Sequence, residues 1–427
     1  MRDILVTLIV IASLPLIVRQ PVNGVLMWVW ISVMNPHTQG WGFATTFPFA
    51  LVIAVATLFS VAIARQPKTL PAAGVTWTLV AFILWMNVTT VFAIFPGPSL
   101  VQWNKVMKIM LMSLVTMMVI RRREDIQRLV WVLTLSLGFY GVKGGVFTVR
   151  SGGEDRVWGP EGTFIGDNNA LALALIMTIP LMRYLQQSSD KRWVWHAMNG
   201  MMLLSALAAL GSYSRGGLLA IAAMVLYMWR QSRHKMATGL LLALLTPLAL
   251  LFMPERWSER MDSIGNYQSD DSAQGRINAW YMAYNLACDR FFGGGYEIAE
   301  ASTFLMYAPN PTAIHAAHSI YFQALGEHGF VGLLLYLLLG GLTWRSASWI
   351  VRHSRGNAEL AWAGNLARMI QASLVGFGVG GAFLSLLYFD VPYYLMAVVV
   401  ATRVCVAQHR DAAVAPPALV PTLEVQR

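Results

Sequence analysis

Arg215, Arg276 and His318 each stand where a charged or titratable side chain meets an apolar segment, in the stretches LGSYSRGGLLAIAAMV, SAQGRINAW and AAHSIYFQALGEHG. Ionisable groups at a membrane edge are costly to keep and therefore usually functional. An arginine clamps a planar oxyanion through a bidentate fork and holds its charge at any relevant pH. A histidine takes up a proton near neutrality. Two arginines with one histidine suit a reaction that has a phosphate leaving group and a hydroxyl nucleophile. Gly216 and Gly217 let backbone or ligand approach Arg215 closely. Arg276 opens a predicted helix whose first amides also favour an anion. His315 is the alternative base, and Asn169, Arg150, Arg156 and Lys108 are further candidates for sugar or phosphate contacts.

Each of these residues also has a plainer reading. A lone membrane-edge arginine commonly snorkels to lipid headgroups, and Lys105 and Lys108 after VQWN can be anchors of the same kind. A lone histidine at a helix start commonly caps or packs. Glu327 and His328, about two to three turns beyond His318, can brace a neighbouring helix. The combination on one face shifts the balance toward chemistry. The outward loops hold no acidic pair of the DxD kind, since Asp270–Asp271 lies in a Ser/Gln loop without partners, and the sequence has no CxxC. No metal and no cofactor are expected.

The elements that must position these residues are transmembrane helices. Of 427 residues, 56% are hydrophobic and 12% charged, with a mean hydropathy of +0.54. A soluble domain carries about 25% charged residues. Apolar runs recur at lengths of roughly 17–22 residues, enough to cross ~30 Å of hydrocarbon, and sixteen Trp with fourteen Tyr suit interfacial belts. The chain reads as an all-α polytopic integral membrane protein with about twelve transmembrane helices. Candidate spans lie near 4–18, 21–35, 47–64, 74–95, 104–120, 128–148, 168–186, 194–211, 216–232, 236–253, 318–343, 366–388 and 391–407. Pro15 and Pro21 leave one crossing of the first pair open. The first apolar stretch has no small-x-small cleavage site and reads as a retained span.

The net charge of +10 records topology, not nucleic-acid binding. Basic residues gather at Arg65 and Lys68, at Arg121, Arg122, Arg123 and Arg128, at Arg183, Lys191 and Arg192, at Arg230, Arg233 and Lys235, and at Arg345, Arg352, Arg355 and Arg368. By the positive-inside rule these connections are cytoplasmic. The chain then divides into spans over 1–253, a periplasmic loop over 254–317, further spans over 318–407, and a Pro/Ala-rich disordered tail over 408–427. Cys288 and Cys405 fall on opposite sides and are not expected to pair. Within the large loop, GRINAWYMAYNLACDR repeats Ile277, Trp280, Tyr281, Tyr284 and Leu286 at near-helical spacing, the pattern of a helix lying on the membrane surface.

Taken in order, SRGG, GRINAW and H-S-x-Y-x-Q-x-x-x-E-x-G, with the long loop before the last, resemble the O-antigen ligase and polymerase superfamily of bacterial inner-membrane glycosyltransferases. GTFIGDNNALALALIMTIPL resembles the family's earlier Asn-containing motif, so the likeness spans most of the chain. The MRD start, the DNN run and YFDVPYYL also resemble a subgroup labelled O-glycosylation ligases. The resemblance implies a metal-independent, inverting transfer of a glycan from undecaprenyl pyrophosphate on the periplasmic face. The acceptor is a lipid A-core sugar in ligases, another lipid-linked repeat unit in polymerases, or a protein in O-oligosaccharyltransferases. Arg215 and Arg276 would hold the pyrophosphate and His318 would take the hydroxyl proton. Two rival classes remain at this point. One is a transporter or flippase, with GVKGGVF and VGFGVGG as weak points in its helices; the other is a peptidase using Cys288 with His318.

Overall fold

The computed structural model describes residues 1–65, 67–232, 234–262 and 271–414. Arg233, Asp270 and the tail from 415 onward lie outside the described residues, which are helical and contain no strand. Ten helices come first: α1 (Arg2–Arg19), α2 (Pro21–Val33), α3 (Phe49–Ile63), α4 (Gly74–Val91), α5 (Pro96–Val119), α6 (Arg123–Arg150), α7 (Asn168–Gln187), α8 (Arg192–Gly211), α9 (Arg215–Gln231) and α10 (Lys235–Phe252). The segment expected as a large loop folds into α11 (Glu255–Asp262), α12 (Asp271–Asp289) and α13 (Ala301–Tyr307). Three long helices close the chain: α14 (Ile320–His353), α15 (Ala361–Gly380) and α16 (Asp390–Val414).

Every segment read as a span coincides with a helix. Eight, namely α4, α6, α7, α8, α10, α14, α15 and α16, are long and apolar enough to cross a membrane, and α2 and α3 are shorter apolar helices. The chain is a multi-pass membrane protein. Boundaries differ from the sequence reading at several ends, including α5, which starts at Pro96 where 104 was expected, and α14, which runs to His353 where 343 was expected. Helix α16 runs through Val414, beyond the expected 407. Helix α15 stops at Gly380 instead of continuing to 388, and residues 384–389 form a buried apolar strap leading into α16. Hydropathy cannot separate such a strap from a span, because Leu384, Leu386, Leu387 and Phe389 are apolar in either role.

Helix α7 is the most enclosed span and packs against α6, α8, α9 and α15. The GVKGGVF stretch lies inside unbroken α6, where a Cβ on Gly145 would collide with the backbone of Leu204 on α8. The VGFGVGG stretch lies at the end of α15, where Gly380 leaves room for Leu173 and Ala220. Both are close-packing surfaces of the small-residue kind and not breaks. Helix α12 departs from its expected face. It packs against α14 and α13 and buries Ala279, Met282, Ala283 and Leu286, with Gly275 under His315, while Tyr281 and Tyr284 remain exposed.

Among the described residues, the one helix with an internal break is α14. Gly329 adopts φ 66°, ψ −173°, a region open essentially to glycine alone. The break frees backbone carbonyls, and each finds a donor. Gly294 N–H donates to Gly326 O at 2.9 Å, Gly295 N–H to Glu327 O at 2.9 Å, and Trp85 Nε1–H to His328 O at 2.8 Å. A Cβ at Gly329 would also strike the Phe291 carbonyl oxygen. Gly329→Ala should therefore lower stability by about 1–3 kcal/mol, measured as an earlier unfolding midpoint in detergent. An unchanged midpoint would show that the break is not conformationally demanding.

Candidate active site

The site is assembled from the starts of α7 and α9 together with Arg276, which lies inside α12, past its first turn, instead of opening the helix as expected. Asp167 caps α7, its carboxylate accepting from the amides of Asn169 at 2.8 Å and Ala170 at 3.3 Å. The same oxygen accepts from Asn169 Nδ2 at 3.0 Å, which fixes that amide group. Neighbouring Asn168 is buried and donates to the Ser212 carbonyl at 2.6 Å, tying α7 to the end of α8. Ser214 caps α9 by accepting from Gly217 N–H at 2.9 Å, so Arg215 occupies the first helical position. Tyr213, just before, has φ +60° and donates its hydroxyl to Gly153 O at 2.7 Å.

Helix α11 docks on this junction. Met253, Trp257 and Met261 pack around Tyr213, and Trp257 Nε1–H donates to Leu210 O at 3.0 Å. Arg260 Nε–H then reaches the Tyr213 carbonyl at 3.2 Å. The result is a narrow pocket lined by Asn169, Ser214, Arg215, Gly216, Arg260 and Arg276, backed by Phe383 and Leu384.

His318 is held beside this pocket by a strap of chain. Asn278 on α12 donates to the carbonyls of Asn310 at 2.8 Å and Ala313 at 3.0 Å. Trp280 donates to Ala317 O at 2.7 Å and stacks on Phe322, with centroids 5.0 Å apart. His318 itself has φ +42°, an uncommon conformation for a residue with a Cβ, and its N–H donates to Ser385 Oγ at 3.0 Å. Burial, and then the charge of Arg276, hold its imidazole below the ordinary histidine value, while Asp167 pulls the other way. His318 is therefore neutral at pH 7 and able to accept a proton.

The structure thus brings together Arg215, Arg276, Asn169 and His318. His315 is exposed and lies directly over Gly275, one residue before Arg276. Three second-tier candidates stay outside the pocket. Arg150 is exposed at the end of α6, and Arg156 lies over the Tyr213 ring at 5.5 Å, one residue removed from the Ser214 cap. Lys108 is exposed on α5, whereas Lys105, one turn earlier, sits 3.9 Å over the Phe164 ring. Glu327 and His328 form a separate buried network away from the pocket: His328 Nδ1 meets Thr89 Oγ1 at 2.7 Å, its Nε2 meets Tyr388 OH at 2.6 Å, and Tyr388 donates to Glu327.

Arg260 and Ser385 were not singled out from sequence. The pairing of Trp257 with Met261 at i, i+4 after Pro254 was a usable signal for α11; Ser385 carried none. Cys288 does not line the pocket and is free, as is Cys405, whose Sγ lies 3.2 Å from the Arg121 carbonyl at the opposite edge. Among the described residues no three His, Cys, Asp or Glu side chains gather as metal ligands.

Residues 200–337 match the family described as O-Antigen ligase, and residues 1–190 match a family of unknown function (DUF5935). The first stretch contains Arg215, Arg260, Arg276, His315 and His318; the second contains Lys108, Arg150, Arg156 and Asn169. A search among curated proteins returned no match.

The electrostatics of His318 can be tested without any substrate. Its NMR titration should fall below about 6.5. Arg276→Gln should raise that value, since it removes a cation that opposes protonation. A titration at or above 6.5 in the parent protein, or no upward movement in the variant, would remove His318 from this environment.

Proposed function

We propose that this chain, whose residues 200–337 match the O-Antigen ligase family, is an O-antigen ligase that transfers a glycan from undecaprenyl pyrophosphate to a hydroxyl of lipid A-core. The observation that carries this reading is the pocket in which Arg215 and Arg276 meet, with a neutral His318 beside Arg276. The basic connections follow α3, α5, α7, α9 and α14, whereas the pocket residues stand at the starts of α7 and α9 and just beyond α15. The positive-inside rule then places the pocket on the periplasmic face of the bacterial inner membrane. The apolar outer surfaces of the spans accommodate the polyprenyl tail and membrane lipid.

In the transfer, the acceptor oxygen bonds to the anomeric carbon while the bond from that carbon to the phosphate oxygen breaks. The acceptor proton passes to His318. The departing electron pair ends on the pyrophosphate, where Arg215 and Arg276 stabilise it as a bound cation would. A single displacement from the face opposite the leaving group inverts the anomeric configuration, and a retaining route would ask for a second, nucleophilic group. Asn169 and Arg260 line the same pocket and contact donor phosphate or its first sugar.

A deletion strain separates ligase from polymerase by its lipopolysaccharide ladder. Loss of all long-chain material from core, with lipid-linked polymer accumulating, is the ligase outcome. Survival of single-repeat caps is the polymerase outcome, and an intact ladder with loss of glycosylated protein is the O-oligosaccharyltransferase outcome.

Three results are expected of the purified enzyme. Turnover should persist in EDTA, because arginines replace the cation; abolition by chelator with rescue by Mg²⁺ would overturn the clamp. Arg215→Lys and Arg276→Lys keep charge but lose the planar fork, so both should lose most activity; near-normal rates would return these residues to headgroup anchoring. His318→Ala should slow transfer roughly 10²–10⁴-fold with donor binding kept, and His315→Ala and His328→Ala should be milder. An active His318→Ala enzyme would move the base elsewhere.

A further inference from the structure

Helix α12 keeps one face uncovered, and that face carries no charge. Tyr281, Tyr284 and Cys288 follow one another at i, i+3 and i+7 and are all exposed, Tyr281 by 56% and Tyr284 by 49%. Between Asp271 and Asp289 the sequence carries a single charge, Arg276, which lines the pocket. A helix face turned to water ordinarily bears charged side chains. Phe291, 67% exposed, extends the same surface just past the helix end. The charges that close the helix are directed to partners: Asp289 accepts from Tyr307 OH at 2.6 Å, and Arg290 donates to the Phe92 carbonyl at 2.8 Å.

Two sets of ring contacts join this face to membrane spans. The Tyr284 ring meets Phe330 edge-on, with centroids 6.2 Å apart. Phe330 heads the uncovered apolar stripe of α14, which runs on through Leu334, Leu337 and Leu338. Phe291 meets Trp85 of α4 edge-on at 5.8 Å, and its neighbour Phe292 stacks on Phe92 at 4.3 Å. Phe92 follows α4, where Leu84, Val88 and Val91 are uncovered. Both α4 and α14 are long and apolar enough to span, so their uncovered stripes face lipid.

We propose that this face of α12 is a membrane contact, with Tyr281, Tyr284, Cys288 and Phe291 covered by the lipid leaflet on the pocket side. Tyrosine suits that depth, since its ring lies among acyl carbons while its hydroxyl reaches the headgroups. An uncharged aromatic face on an otherwise packed helix is the pattern of an interfacial helix. The contact face differs from the one expected from sequence, because Trp280 stacks on Phe322 and Leu286 is buried. Lipid is favoured over a second copy of the chain because the face runs into the lipid-facing stripes of two different spans. A protein seated on it would have to displace lipid from both. Arg276 stands about two turns before Tyr284, roughly 12 Å along the same helix, so this contact holds the pocket close to the headgroups. The proposal does not depend on which reaction the pocket performs.

The test uses the full chain in phospholipid nanodiscs, with a bimane probe attached to the exposed Cys288 thiol. The Cys288→Ser variant, labelled in the same way, supplies the background from Cys405. Quenching by lipid that carries a nitroxide near its headgroup is compared with quenching by iodide in the water. The nitroxide lipid should quench several-fold more strongly than iodide, and Tyr281→Glu/Tyr284→Glu should shift the balance toward iodide. Dominant iodide quenching in the parent overturns the proposal, because the face then looks into water. Shielding from both quenchers also overturns it, because protein, a second copy included, then covers the face. An unchanged balance in a folded double variant overturns it as well, since the tyrosines then do not make the contact. If the double variant does not fold, the balance in the parent decides.

Discussion

A carbonyl freed inside an apolar layer has no water to bond to, and leaving it unpaired costs several kcal/mol. The break at Gly329 frees such groups in the middle of α14, and the fold around the site follows from how they are paired. Gly294 and Gly295 bring the end of the α12 hairpin against α14, and Trp85 brings α4. With those donors in place, residues 320–328 become a short helical stub that need not share the direction of the span below it. That stub carries Gln323, which holds the strap by accepting from Leu387 N–H at 3.2 Å. The strap in turn supplies Ser385 to the His318 amide. The histidine's left-handed backbone is thus held through a chain of contacts that begins at the glycine.

The buried polar groups beneath the stub form one continuous set. The Tyr388 hydroxyl bridges Glu327 and His328 Nε2, and His328 Nδ1 meets Thr89, whose hydroxyl also reaches the Met86 carbonyl. Four side chains from α4, α14 and the strap are joined in this way. A set of this kind fixes the register of the elements that carry it, because an apolar replacement on one member leaves the next one unpaired. His328 and Glu327 therefore belong to the network that shapes the stub.

The spans were legible because hydropathy and the basic connections are properties of single residues. Arg215, Arg276 and His318 were legible for the same reason: each is a charge or a proton acceptor at the edge of an apolar run. What escaped depended on helix phase and on partners distant in sequence. The face of α12 was misread because its contact surface is made of Gly275, Ala279 and Ala283, small residues that hydropathy scales pass over in favour of exposed Tyr281 and Tyr284. The strap over 384–389 looked like more membrane span, since an apolar strap buried in protein and an apolar turn of helix have the same composition. Arg260 needed the docking of α11 on Tyr213 before it became a pocket residue.

The pocket sets two demands against each other. Anion binding is served by positive charge, and three arginines line the pocket. A base within the same field must stay unprotonated, and that field helps, since Arg276 disfavours a second cation on His318. A base whose proton affinity falls too far, however, no longer takes the proton of a hydroxyl. Asp167 limits the fall, since its carboxylate is the one acidic influence acting on His318. Because that carboxylate is also spent on capping α7 and orienting Asn169, its position is dictated by the helix start and cannot swing to neutralise an arginine. On the reading proposed above, the cap would let a strongly cationic pocket keep a proton acceptor at its rim.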